Sequence, residues 1–114
     1  MEQVRSTARN VGISAQKVRL LLDMVRGRSA VEALDVLKFM SNAGAKPVAK
    51  VIRTAIANAE ETAGLSREDL VVSEIYADEG PTMRRGRAGA RGRHKPLLKR
   101  SSYITVVLHE REAG

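Results

Sequence analysis

The chain has no cysteine among its 114 residues, and this absence excludes disulfide bonds and thiolate zinc sites. No apolar run approaches the roughly 20 residues that a transmembrane helix needs. The first residues, MEQVRSTARNVGIS, are polar and lack the apolar centre of a secretory signal. We therefore expect a protein of the reducing cytoplasm that has no membrane partner.

Aromatic side chains are also scarce, since the chain has no tryptophan and its aromatic residues are Phe39, Tyr76 and Tyr103. Proteins that bind single-stranded nucleic acid without sequence preference stack successive bases on several aromatic rings of one surface. We do not expect such a platform here, and we place Phe39 in the core. Tyr103 stays open between packing on a sheet and touching RNA.

No combination of side chains predicts an enzyme or a metal centre. His94 and His109 have no cysteine, and no carboxylate at ligand spacing, to complete a metal site. The acidic pairs at 60–61, 68–69 and 78–79 consist of adjacent residues, whose side chains point in different directions. No serine lies in an elbow motif for nucleophilic attack. We expect no catalysis, no metal and no cofactor.

Positive charge is concentrated in the stretch RRGRAGARGRHKPLLKR at positions 84–100, which has eight basic residues and no acidic one. The whole chain carries a net charge of +7, and the remainder, with 12 basic and 13 acidic residues, carries −1. A pI near 10.4 indicates a polyanionic partner. The division of charge predicts that the basic stretch holds that partner.

Three stretches have the apolar spacing of helices with one core-facing stripe. The first follows a capping serine, Ser14, and ends at Gly27, and the second begins with a capping-box pattern at Ser29. The third runs from about 45 to 63 and ends at Gly64. The predicted stripes consist of Val18, Leu21, Leu22 and Val25, then Ala33, Leu34 and Leu37, then Val48, Val51, Ile52, Ala55, Ile56 and Ala59.

Three further stretches, at 2–10, 70–80 and 101–110, alternate or are dense in β-branched residues, as strands are. The order of elements predicts one α+β domain over 1–114, in which a three-stranded antiparallel sheet packs against three helices. Alternate side chains are expected on opposite faces of each strand. In the first strand, one face consists of Val4, Ser6 and Ala8 and the other of Arg5, Thr7 and Arg9. In the second strand, one face consists of Val71, Ser73, Ile75 and Ala77 and the other of Val72, Glu74 and Tyr76.

The basic stretch has three interpretations. A disordered arginine–glycine tail is disfavoured because the stretch is internal and strong strands flank it. A phosphate-binding nucleotide loop is excluded because Gly86, Gly89 and Gly92 have neither of the required spacings and a strand follows them. We favour a long basic β-hairpin at about 80–100 that projects from a body formed by about 1–79 and 101–114.

Several motifs together resemble the family of bacterial large-subunit ribosomal protein twenty-two. They are SAQKVRLLLDMVRGRSAVEAL, TAIANAEETAGL, YADEGPTMRR, RGR at 91–93 and KRSSYITVVL, and they extend from about Arg5 to Leu108. The resemblance implies a protein that binds large-subunit ribosomal RNA and stabilises its packing during assembly. It also implies a body near the exit of the nascent-peptide tunnel, beside neighbouring ribosomal proteins, and a hairpin tip in the tunnel wall.

The resemblance also implies site residues. On the hairpin, the residues expected to bind RNA are Arg84, Arg85, Arg87, Arg91, Arg93, His94, Lys95, Lys99 and Arg100. The tip that would meet the nascent polypeptide consists of Ala88, Gly89, Ala90, Arg91 and Gly92. A second RNA surface is expected around the first strand and helix, at Arg5, Arg9, Lys17, Arg19, Arg26 and Arg28.

The main alternative is a nucleoid-type architectural DNA-binding protein, which also uses β-ribbon arms. Such a protein needs an apolar wedge, often proline, at the ribbon tip, whereas Pro96 lies beyond the tip. It also needs an apolar dimer face, and the chain has no surplus stripe, so we expect no homo-oligomer. A helix-turn-helix regulator is a weaker possibility because Asp23 and the lack of a basic recognition helix oppose it.

Overall fold

Within the described residues, the chain forms one strand, three helices and then four strands. The computed structural model describes residues 3–80, 83–88, 94–99 and 101–111. The elements confirm the predicted α+β class. In chain order they are β1 (Gln3–Val11), α1 (Ala15–Val25), α2 (Ala30–Lys38), α3 (Ala45–Thr62), a short 3₁₀ turn (Arg67–Asp69), β2 (Leu70–Glu79), β3 (Met83–Ala88), β4 (His94–Lys99) and β5 (Ser102–Glu110).

The last strand, β5, lies at the centre of the main sheet, between β1 and β2. Both neighbours run antiparallel to it, with Thr7 opposite Thr105 on one side and Ile75 opposite Val106 on the other. The β-branched residues of β5 suit a central position because they pack well on a pleated, buried surface. The predicted three-stranded antiparallel sheet is confirmed, and β1 and β2 are its two edges.

The three helices bury their apolar stripes against one face of this sheet. Every residue of the stripe predicted for α1 is buried, as is every residue of the longer stripe predicted for α3. The sheet contributes alternate residues of β5, Ile104, Val106 and Leu108, each of which is fully buried. These side chains form one continuous core.

The face assignments of Val71 and Val72 in β2 are wrong. The alternation placed Val71 on the face of Ile75, but a β-bulge between Val72 and Glu74 shifts the register. Val72 is therefore fully buried on the core side with Ile75, and Val71 is half-buried. A bulge inserts one residue into the strand, so a period of two cannot be carried across it.

The expected core position of Phe39 is also wrong, because its side chain is 85% exposed. The last residue of α2 is Lys38, and Phe39 follows it outside the helical stripe. Met40, one position later, is half-buried and packs against the core instead. The single phenylalanine of the chain is thus left on the surface, beside the end of α2.

The helix ends follow the capping signals in part. Gly27 has a φ of 83°, the left-handed conformation that ends a helix and that glycine adopts without steric penalty. At the start of α2, the Glu32 N–H donates to Ser29 Oγ at 3.2 Å, as the capping box predicts. Ser14 precedes α1 as expected, but its side chain forms no capping hydrogen bond with the described residues.

Candidate nucleic-acid interface

Beyond the main sheet, β2 and β5 lead into a two-stranded ribbon. Between the two ladders the Gly80 N–H donates to the Ser101 carbonyl at 2.9 Å. Next, β3 pairs antiparallel with β4, from Met83 opposite Lys99 to Ala88 opposite His94. The Cα radius of gyration is 17.2 Å, against about 13 Å for a compact domain of this length. The projecting ribbon that the sequence predicts is therefore confirmed.

Gly80 lies at the base of the ribbon, where the two strands approach closely. A Cβ atom built on Gly80 would lie 2.6 Å from Ser101 Oγ and 3.3 Å from the Ser101 carbonyl carbon. Side chains larger than hydrogen would push these strands apart unless Ser101 moved. The glycine therefore lets the chain leave the body without breaking the hydrogen bond that joins the two strands.

The charges along the ribbon are not explained by its own stability. In the ladder Arg87 pairs with Lys95. Arg84 and Arg85 also lie on β3, and Lys99 lies on β4. Eight cations in a stretch without an acidic residue repel one another until a polyanion neutralises them. The other predicted ribbon residues, Gly89, Ala90, Arg91, Gly92, Arg93 and Arg100, lie outside the described residues.

Two cations of the second predicted RNA surface bind the backbone of β2 instead of pointing freely into solvent. Arg19 donates to the Ala77 carbonyl through Nε at 3.1 Å and through Nη2 at 2.8 Å. Arg26 donates to the Ile75 carbonyl through Nη2 at 2.7 Å, and its Nη1 forms an ion pair with Asp23. These guanidinium groups join α1 to the outer edge of the sheet.

The other four cations of that predicted surface lie at separate places. Arg5 and Arg9 are exposed on β1, at the opposite edge of the sheet from β2. Lys17 is exposed on α1, and Arg28 Nε donates to the Met24 carbonyl at the end of the same helix. The structure therefore does not gather the six residues into one patch, and their binding of RNA stays a prediction.

A basic group, of which the sequence reasoning identified only Arg9, surrounds an open cleft beside β1. The cleft lies between β1, the end of α2 and the first half of α3, and among its lining residues one carboxylate, Asp35, faces five cations. The signal available in the sequence was the helical spacing of three of them, Lys46, Lys50 and Arg53, on a helix whose opposite side is apolar. The cations of this cationic cleft are Arg9, Lys38, Lys46, Lys50 and Arg53.

Metal-ligand groups and membrane-spanning helices are both absent from the part of the chain that the structure describes. There, no three histidine, aspartate or glutamate residues lie together as metal ligands. The described helices include none that is both long and apolar enough to cross a membrane.

The sequence model of the ribosomal protein L22p/L17e family matches residues 6–109, which include most of the body and the whole of the basic stretch. The chain belongs to this family. A relative from Pediococcus pentosaceus, named large ribosomal subunit protein uL22, is 47% identical over 116 aligned positions. The alignment covers 99% of this chain and 98% of that relative. Recognition of the family from the sequence motifs is confirmed.

Proposed function

We propose that this protein is a structural, non-catalytic component of the large ribosomal subunit that binds large-subunit ribosomal RNA mainly through its ribbon. The observation that carries the proposal is a ribbon with eight cations that continues from a nearly neutral body, in a chain of the L22p/L17e family. The name of the Pediococcus relative supports the assignment to the large subunit. We expect the protein in the cytoplasm, on the ribosome.

The ribbon binds RNA by neutralising phosphates from several RNA segments at once. Arginine suits this task because its planar guanidinium donates two parallel hydrogen bonds to a phosphate and also stacks on bases. By drawing these segments together, the ribbon stabilises their packing during assembly of the subunit. Each neutralised phosphate releases counterions, so the affinity falls steeply with salt. On the body, Arg5, Arg9, Lys17 and Arg28 add further contacts.

The tip of the ribbon, at 88–92, lines the tunnel through which the nascent polypeptide leaves the ribosome, and the body lies near the tunnel exit beside other ribosomal proteins. Placing a photo-crosslinking amino acid at position 90 tests this assignment in ribosomes that carry a stalled nascent chain. Crosslinks from position 90 to the nascent chain support the assignment. Crosslinks to RNA alone, in ribosomes that contain the variant, contradict it.

A competition assay tests RNA binding itself. Labelled large-subunit ribosomal RNA is bound at about 200 mM salt, which suppresses loose electrostatic binding, in the presence of excess double-stranded DNA. The proteins compared are the intact chain, a variant without residues 84–100, and Arg91→Ala/Arg93→Ala. We expect RNA binding that resists DNA and weakens in both variants, while circular dichroism shows a folded body. Equal competition by DNA would instead favour a nucleoid-type architectural protein.

A further inference from the structure

The exposed side of α3 has a charge distribution that helix stability does not explain. Lys46 lies in the first turn, Lys50 and Arg53 follow on the same side, and all three are exposed. The helix dipole favours anions at this end and cations at the other, yet the last turn of α3 has no basic residue. Lys46 therefore opposes the dipole, and Lys46, Lys50 and Arg53 also repel one another as like charges on one side of the helix. Because these effects destabilise the helix, the cations indicate an intermolecular contact.

The two ends of α3 also differ in their partners. Near the acidic end, Arg67 donates to both carboxylate oxygens of Glu60, at 2.9 and 3.0 Å, and this hydrogen bonding lowers the pKa of Glu60. At the basic end, Lys46, Lys50 and Arg53 form no ion pair with any described residue. Only the acidic end is balanced within the described part of the chain.

The cationic cleft has the form of a polymer site. It is open and has a volume of about 1550 Å³, above the range of roughly 300–1,000 Å³ that is usual for small-molecule pockets. Its lining includes residues from both faces of β1, such as Ser6 and Thr7, so the cleft runs along the edge of this strand. An anionic chain that follows this edge would meet cations along its length.

Phe39 is an exposed aromatic residue next to this cleft in the sequence. It follows Lys38 and precedes Met40, both of which line the cleft, and although it is not itself a lining residue, it is largely exposed to solvent. Sequence-specific RNA recognition mostly uses unpaired bases, which stack on exposed aromatic rings, and stacked bases inside a duplex are not available for this contact. One ring is not a platform for a run of bases, but it suffices for a single unpaired base.

We propose that the cationic cleft binds a single-stranded segment of RNA, whose phosphates lie against Lys46, Lys50 and Arg53 and one of whose bases stacks on Phe39. The inference rests on the proposed function, since it assigns a second contact to an RNA-binding protein. An acidic protein segment would match the charge equally well. An exposed aromatic residue directly after Lys38, a cation of the cleft, favours RNA.

The first test maps the contact on the full-length protein. An oligouridylate of about twelve nucleotides, within the range of single-strand site sizes, is prepared with 4-thiouridine and crosslinked by ultraviolet light. Tryptic mapping is expected to find an adduct on the peptide 39–50, since trypsin does not cleave between Lys46 and Pro47, in addition to any adduct on the ribbon. Adducts that occur only within 80–100 would overturn the proposal, since the ribbon alone would then hold the oligonucleotide.

The second test measures affinity for the same oligouridylate. Phe39→Ala is expected to weaken binding about tenfold, as loss of one stacked base does, and Phe39→Tyr is expected to restore it. The matched control is Leu20→Ala, because Leu20 is a large apolar residue that is 70% exposed on α1. Equal affinities of Phe39→Ala and Leu20→Ala would contradict a stacking contact.

A third comparison separates position from net charge. Lys46→Met/Lys50→Met is expected to weaken binding and to reduce the slope of log affinity against log salt by about 1.4, since each phosphate contact on a single strand contributes about 0.7. Adding Glu61→Gln and Glu110→Gln restores the net charge at exposed sites outside the cleft lining. The affinity is expected to stay low in this compensated variant. Recovery of wild-type affinity would mean that net charge alone attracts the oligonucleotide.

Competitors identify the occupant. The competitors are a polyglutamate peptide, an RNA duplex of equal length and the unlabelled single strand. The proposal is overturned if the peptide or the duplex displaces the labelled oligouridylate as well as the unlabelled single strand does. Failure of this inference is distinguishable from failure of the proposed function. Cleft variants that bind the oligouridylate normally, in a protein that still selects ribosomal RNA over DNA, contradict the inference alone. A protein without that selectivity contradicts the proposed function.

Discussion

The two edge strands of the main sheet, β1 and β2, have contrasting surroundings. Along β2, the Ala77 carbonyl accepts hydrogen bonds from Arg19 of α1, and the Ile75 carbonyl accepts one from Arg26, directly after this helix. Val72 exchanges two backbone hydrogen bonds with the residues that follow α1. Along β1, no described residue forms a hydrogen bond to the backbone beyond the ladder with β5. The β1 edge instead borders the cationic cleft.

The two edges show two roles of positively charged side chains, binding the protein's own backbone and remaining available to a ligand. The sequence alone does not distinguish these roles. Unpaired strand edges are templates for aggregation, and proteins protect them by covering them or by placing cations beside them. Arg19 and Arg26 cover the β2 edge by direct bonds, so we assign them first to the fold. The cations beside β1 form no ion pair with any described residue, which leaves them available to an anionic ligand.

The largest expected effect comes from the core that supports both edges. Ile56 on α3 is 3% exposed, and Ile56→Asp would bury an unpaired charge, so it should destabilise the fold by more than about 4 kcal/mol. Urea denaturation followed by circular dichroism measures this loss. The neighbouring Ala57→Asp is the control, since Ala57 is exposed. Similar losses in both variants would show that helix propensity, not burial, causes the effect.

A smaller effect is expected at the covered edge. Arg19→Met/Arg26→Met removes the donors to the β2 carbonyls but keeps apolar stems of similar length. The free energy of unfolding should fall by about 1–2 kcal/mol in total, because these charged hydrogen bonds are partly exposed to solvent. Lys17→Met on the same helix should leave it unchanged. A double variant as stable as the wild type would show that the arginines do not stabilise the edge.

The smallest of the expected changes in stability concerns β5, which lies between the two edge strands. Ser102 is fully buried near the base of the ribbon, and its Oγ has no hydrogen-bond partner among the described residues. Because an unsatisfied buried hydroxyl is unfavourable, Ser102→Ala should raise the free energy of unfolding by about 1 kcal/mol. Thermal denaturation tests this gain. A loss of stability would imply that the hydroxyl has a partner.

The fold was largely predictable from the sequence because its helices and strands have regular apolar periods. The stripes of α1 and α3 identify their buried faces, and Gly27 marks a helix end. The β-bulge at Ser73 was not predictable, since a period of two contains no signal for one inserted residue. Phe39 was misplaced because its hydrophobicity was weighed without the helical period: two residues after the buried Leu37, it lies about 200° around the helix from the buried stripe.

The candidate site was predictable only where one stretch of chain contains it. The ribbon cations are contiguous in sequence, so their charge identifies them. In contrast, the cationic cleft combines Arg9 with residues of α2 and α3, and only the packing of these elements brings them together. For Arg19 and Arg26, the sequence gives the charge but not the β2 carbonyls that they bind.

The most direct test of the account compares two variants that each lose two positive charges. Arg19→Met/Arg26→Met alters the covered edge, and Lys46→Met/Lys50→Met alters the cleft beside the open edge. Affinity for the oligouridylate and stability in urea are measured for both. We predict that the edge variant loses stability but binds like the wild type, and that the cleft variant stays stable but binds weakly. Equal losses of affinity in the two folded variants would contradict the distinction between the edges.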